Sequence, residues 1–319
     1  MGYGTLGHLN LGKETTWAAS VNPDYSIELM NETLTLARDR FEVKNIIGRL
    51  TEPDDVPGLR RIEGDMTTWG HPETIGHFLN AALGQGSKTI TVVLSGSLWT
   101  LAWMPSPSDA SSQNPLVSYT AEVFRDVTSS DRYQGGVLNR LVLAGQPNQD
   151  LRVTAGWIFK ATSSIAKAVP SFPTSPAFPF TWDTFSLSVG GAAMDLVEAL
   201  TVTYDNQLEG VPALNNSDEI ARIRRRGPVL VRVAGTIEFL NRTEYTNFVN
   251  QTEQRFVYSL FRANSFQIVV DLPRVVYTAF PLGQAGRERN LVSFEGKALH
   301  HTGSGSPIKV SLTTVRSNY

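Results

Sequence analysis

The stretch Gly58-Leu59-Arg60-Arg61-Ile62-Glu63-Gly64-Asp65-Met66-Thr67-Thr68-Trp69 decides how this chain is read. Ile62, Gly64 and Met66 fall on one side of an extended backbone, and Arg61, Glu63, Asp65 and Thr67 on the other. A period of two marks a half-buried antiparallel strand with one wet face. Upstream, residues 32–41 read as a second strand with Leu34 and Leu36 on one face. Residues 43–57 are a long loop holding Gly48, Pro53, Asp54, Asp55 and Pro57. Downstream, Pro72 and Glu73 open a helix in which Ile75, Phe78, Leu79, Ala82 and Leu83 recur at helical spacing. Residues 30–83 are thus a strand, loop, strand and helix.

A variant of the unit returns at 196–250. Leu200, Val202 and Tyr204 alternate with Thr201, Thr203 and Asp205, and a loop runs from about Leu208 to Arg226. Val229, Val231, Val233, Gly235, Ile237 and Phe239 share a face opposite Arg232 and Glu238. Asn241 and Glu244 read as a capping box before Tyr245, Phe248 and Val249. Gly64 matches Gly235, Ile62 matches Val233, Met66 matches Ile237 and Arg61 matches Arg232, all at one offset. Further strands are expected in both halves, with 291–301 in the place of 133–144 and 308–315 in that of 151–160. Ser129–Asp131 reads as a turn, and 161–168 is ambiguous, with a short helical turn as one option. Pro170, Pro173, Pro176 and Pro179, spaced by three, suggest an extended connector. The expected organisation is a first domain over 1–169, a linker over 170–184 and a second domain over 185–319. The fold class is mainly β: two tandem β-sandwiches or partly closed barrels, each flanked by one α-helix.

The 319 residues suffice for two domains of about 150 residues each. The net charge of −2 disfavours tight, stationary binding to nucleic acid, which calls for a basic excess. With no cysteine, disulfides and cysteine chemistry are excluded. No secretory signal is visible in residues 2–13, and no apolar run approaches the roughly 20 residues of a membrane helix. A soluble protein made in a cytoplasm is expected.

Chemistry is sparse. His8, His71, His77, His300 and His301 lack the spacing of a zinc site and read as surface or turn histidines. Gly303-Ser304-Gly305 is a hairpin turn and not a nucleophile elbow. No phosphate loop is present. No catalytic residue, cofactor or metal is assigned. Trp99, Trp103, Trp157 and Trp182 read as core by default. The basic run Arg222-Ile223-Arg224-Arg225-Arg226 admits three readings: phosphate contact, a subunit contact with the acidic Glu52, Asp54 and Asp55 loop, or a solvated loop. Opposite charges across an interface fix register, which favours the subunit contact over the phosphate.

The chain resembles the tail tube proteins of long-tailed, siphovirus-type bacteriophages, in particular the duplicated type. The resemblance is carried by Gly12-Lys13-Glu14-Thr15-Thr16-Trp17, by Glu32-Thr33-Leu34-Thr35-Leu36, by the stretch 58–64 and by the helix at 74–83. In the second copy it is carried by Leu200-Thr201-Val202-Thr203-Tyr204-Asp205 and by 226–238. It implies a structural virion protein and not an enzyme, assembled in the bacterial host cytoplasm. It implies trimeric, pseudo-hexameric rings stacked into a tube, through which tape measure protein and phage DNA pass. Tail terminator and distal tail proteins would sit at the ends. On this resemblance Arg61, Glu63, Asp65, Arg232 and Glu238 are expected to line the channel. Glu52, Asp54, Asp55, Asp218, Glu219, Arg222, Arg224, Arg225 and Arg226 are expected in loops between rings or subunits, and each helix is the outer cover of its sandwich. The alternative reading is a tandem β-sandwich that binds carbohydrate or acts as an adhesin on a virion; glycan binding lost in Trp99→Ala would mark it. On the tail tube reading, deleting residues 45–55 is expected to leave the circular dichroism spectrum unchanged and to stop ring stacking in electron micrographs.

Overall fold

The computed structural model describes all residues except 1–3, 24, 43–47, 49–54, 85–88, 93–97, 106–115, 174–177, 263–265 and 284–288. The first half contains β1 (His8–Lys13), β2 (Tyr25–Ile27), β3 (Asn31–Glu32), β4 (Thr35–Glu42), β5 (Asp55–Trp69), α1 (Ile75–Leu83), β6 (Thr89–Val92), β7 (Trp99–Trp103), β8 (Tyr119–Phe124), β9 (Ser129–Gly145), β10 (Arg152–Phe159) and β11 (Ala161–Ala166). The second contains β12 (Phe185–Val189), β13 (Ala192–Ala193), β14 (Val197–Asp205), β15 (Leu208–Val211), β16 (Arg222–Arg225), β17 (Leu230–Glu238), α2 (Thr243–Val249), β18 (Gln254–Arg262), β19 (Phe266–Ala279), β20 (Leu291–Ala298) and β21 (Lys309–Thr314). The chain is mainly β, as its alternating pattern requires.

One antiparallel sheet runs β4-β5-β10-β9-β14-β17-β20-β19 through both halves. The long strands β9 and β19 each serve two layers. The first part of β9 pairs with β8 and β11 and its second part with β10 and β14. Likewise β19 pairs first with β18 and β21, then with β20. The two halves therefore repeat one pairing order, β4-β5-β10-β9-β8-β1 and β14-β17-β20-β19-β18-β12. This order corrects two matches made from the sequence. β20, not β21, holds the place of β10, and β21 holds that of β11. Alternation tells which face of a strand is buried but not which strand lies beside it.

The glycines paired by offset have a shared reason. A Cβ on Gly64 would stand 2.5 Å from the Thr33 carbonyl oxygen, and one on Gly235 would stand 2.7 Å from that of Ala199. Each faces an irregular point in the neighbouring strand: the break between β3 and β4, and the bulge at Val197/Ala199. Residues 161–166 are strand and not helical turn, and Ser129 already belongs to β9. β19 is one continuous strand from Phe266 to Ala279.

The helices differ sharply. Every residue of α1 is buried, so α1 is enclosed by its own chain and is not an outer cover. Asn80 donates to the Tyr119 hydroxyl (2.9 Å), and Asn206 Nδ2 donates to the carbonyl of Ala82 (2.9 Å). The Tyr319 ring lies where a Gly76 side chain would be, and the Tyr319 backbone oxygen accepts from Asn80 and Lys13. No residue of α2 is buried. The expected capping box there does not form: Asn241 accepts from the Thr243 amide, while Glu244 accepts from the Tyr277 hydroxyl. In the proline-spaced segment, Phe180 is fully buried. Its amide donates to Gly70 (3.0 Å) and its carbonyl accepts from Leu151 (2.8 Å), which pins it to the first half.

Two outcomes follow from α1. Phe78→Ala is expected to cost about 3–5 kcal/mol in urea unfolding, whereas Thr246→Ala on exposed α2 should stay within about 0.5 kcal/mol. His77 on α1 is held neutral by burial and by Arg316 and Lys13, and its pKa is lowered to about 3. Below its ordinary value of 6.5 the unfolded chain takes up a proton that the fold refuses. Stability should therefore decline as pH falls from 6.5 towards 3, and His77→Phe should flatten that part of the urea midpoint curve.

Candidate functional site

Strand pairing sets the two faces of the long sheet. Thr67, Thr154, Val142, Thr203, Arg232 and Lys297 are successive Cα partners and form one row across it. Directly opposed residues in a sheet share a face, and the 3.2 Å contact between the Thr67 and Thr154 hydroxyls agrees. A second row joins Asp65, Gly156, Arg140 and Asp205. By alternation along β5 and β17, Arg61, Glu63, Asp65, Arg232 and Glu238 all lie on this polar face. The structure thus brings these five residues, singled out from two distant stretches, onto one surface. Ile62, Met66, Leu141, Leu143, Val202 and Val233 point the other way into the core.

Charge on the polar face is balanced. Arg61, Arg140, Arg152, Arg232 and Lys297 are matched by Glu63, Asp65, Asp205, Glu238 and Glu295. Some of it is paired in place: Arg140 with Asp65 (3.1 Å), and Arg61 with Asp39 (3.0 Å). Exposed pairs of this kind contribute little stability; here they cancel local field.

At one end of the sheet, β15 and β16 form a ribbon inside what reads from sequence as a plain loop. Leu208, Ile220 and Ile223 of the ribbon pack on Val137 and Ile158 of the first half, beside Trp17, Leu59 and Leu116. Asp218 receives Arg60 (2.7 Å) and Arg38 (2.8 Å), and Glu219 receives Arg60 (3.1 Å). The bond from Arg60 holds the Asp218 carboxyl below its ordinary range. So the acidic end of this loop is engaged within the chain. Within the basic run, Arg222, Arg224 and Arg226 are exposed, Ile223 is buried, and Arg225 donates to Asn206 (3.0 Å). The alternation of Ile223 with Arg222 and Arg224 was the available strand signal. Asp55 opens β5 and pairs with Arg40 (2.7 Å). Glu52 and Asp54 lie outside the described residues.

Residues 4–298 match the family described as phage tail tube protein. The chain belongs to that family. Among curated proteins none matches it at a significant level. As a phage tail tube protein it is a structural component of the virion tail, of a kind that stacks on itself to form a tube.

His8 and His77 are buried, not surface or turn residues: His8 lies 3.2 Å from the Ala168 carbonyl and His77 sits within α1. His71 precedes the helix, whose N-cap is Thr74. Among the described residues no cluster of His, Asp or Glu could hold a metal ion. Trp103 and Trp157 are core, Trp99 is half-buried in β7, and Trp182 is half-exposed. Gly305, with φ +69°, makes the turn after Ser304. No helix among the described residues is long and apolar enough to cross a membrane.

Proposed function

We propose that this tail tube protein closes into trimeric rings with pseudo-sixfold character, and that the polar face of the long sheet lines the channel for phage DNA. In this reading the chain is two tandem domains, 1–169 and 185–319, joined by 170–184. The supporting observation is an asymmetry between strands in matching places. Val202 of β14 lies between Val233 and Leu143 and is 2% exposed. Among the described residues Leu36 of β4 lies opposite Ile62 only, and it is 50% exposed. What Leu36 lacks is the strand that β9 supplies to β14. An unpaired edge with an apolar residue is an assembly surface, and β4 of one copy pairing beyond β19 of the next would complete the circle.

The lumen chemistry suits a conduit. DNA released from the head must slide, and a basic wall would hold it through counterion release. A face on which Arg61, Glu63, Asp65, Arg232 and Glu238 nearly cancel offers neither a trap nor a strong barrier. Rings stack through the loops, with tape measure protein inside during assembly in the host cytoplasm, and terminator and distal tail proteins at the ends.

Wild-type protein at rising concentration is expected to give rings and tubes in negative-stain micrographs. Leu36→Asp should keep the native circular dichroism spectrum and sediment as a monomer. A wild type that stays monomeric under all assembly conditions would sink this reading.

A further inference from the structure

We propose that residues 167–172 of one copy cover α2 of its neighbour in the ring, with Val169 against Thr246, much as Tyr319 covers α1 within the chain. The proposal rests on the ring reading above and names the partner of a helix that the single chain leaves open.

The first half shows how such a helix is closed. The Tyr319 ring fills the space beside Gly76, its backbone oxygen accepts from Asn80, and its hydroxyl donates to the Pro72 carbonyl. Tyr319 follows β21, and β21 holds the place of β11. The chain after β11 is therefore the counterpart of the segment that closes α1. In α2, Tyr245, Phe248 and Val249 match Ile75, Phe78 and Leu79, so Thr246 and Asn250 stand where Gly76 and Asn80 stand. Thr246, Val249 and Asn250 are all exposed.

Residues 167–172 are held far from α2 of their own chain. The Ala168 carbonyl lies 3.2 Å from His8, and Ser171 exchanges two bonds with Ser26 of β2. The chain just after β2 is tied to β5, where Thr68 donates to the Glu28 carbonyl and the Thr67 carbonyl accepts from Met30. The segment thus lies on the flank of β4 and β5. α2 lies at the other end of the row, where Tyr277 of β19 donates to Glu244 and Phe280, just beyond β19, stacks on Phe248. Pairing of β4 in one copy with β19 in another brings these two flanks together. The contact is heterologous, so a rotation that closes repeats it at every joint of the ring.

The chemistry of the two surfaces matches. Val169 is 88% and Phe172 42% exposed, with exposed Pro170 and Ser171 between them. Apolar side chains presented together mark a contact surface. Thr246 carries the side chain that Gly76 lacks, so α2 offers no slot for a ring laid as Tyr319 is and suits the short, branched Val169. Asn250 keeps the amide with which Asn80 holds a visiting backbone carbonyl. Beside the start of α2 a groove of about 340 Å³, walled by Met194, Leu196 and Leu240, gives Phe172 a seat. Asp195 and Glu238 line the same groove, and the incoming segment brings the exposed Lys167. Opposite charges of this kind orient a docking contact.

Because the chain has no cysteine, Val169→Cys with Thr246→Cys gives a clean test in the full-length protein. Oxidised rings should run as a ladder ending at three chains on a non-reducing gel, and dilute unassembled protein should run as one chain. In parallel, Val169→Asp should keep the native circular dichroism spectrum and lose rings in negative-stain micrographs, and adding Thr246→Lys should restore them. Rings of the cysteine variant that do not cross-link overturn this contact while leaving the ring reading intact. Absence of rings in the wild type overturns the ring reading itself. Should the cysteine variant fail to assemble, the charge variants decide alone: normal rings from the Val169→Asp protein, or no rescue by Thr246→Lys, refute the proposal.

Discussion

The pairing of β9 with β14 is the contact on which the rest of the molecule depends. Arg140–Gly145 of one half lies against Leu200–Asp205 of the other, so two β units become one sheet. At the end of that pairing Asn206, fully buried, donates to the carbonyls of Ala82 and Leu138 and accepts from Arg225. One side chain thus satisfies the last turn of α1, steadies β9 and holds the ribbon base. Buried carbonyls at a helix end need such partners. The same junction aligns the threonines and charges of both halves into common rows.

Equivalent positions in the two halves are treated differently. In the first, β6 and β7 are added between α1 and β8, and β7 pairs with β21 from the far end of the chain. That addition, with Tyr319, shuts α1 inside. Among the described residues of the second half nothing corresponds to the added strands, and α2 stays open, with its Tyr245 and Phe248 against Phe280, which also meets Phe239. A repeated pairing order therefore does not imply repeated surroundings.

Much of this was legible because β structure writes its faces into the sequence at period two. The face assignments of β5, β14 and β17 needed only alternation, and the match of Gly64 with Gly235 located the irregular neighbours. Partner identity was not legible: β10, β20 and β21 are all short alternating strands, and only the assembled sheet separates them. The ribbon was hidden because charge dominated the impression of Arg222–Arg225, although Ile223 breaks the run in register. Burial of α1 was invisible for another reason. Its apolar stripe predicts one covered face, and the cover on its polar side comes from Asn206 and Tyr319, which no local pattern connects to it.

That cover has a consequence for the order of events. Asn80 and Tyr319 are bonded across 239 positions of sequence. Contacts so distant along the chain form late, since loop closure comes before any gain. The interior around α1 is thus sealed only once Tyr319 has come back across most of the chain to meet Gly76 and Asn80.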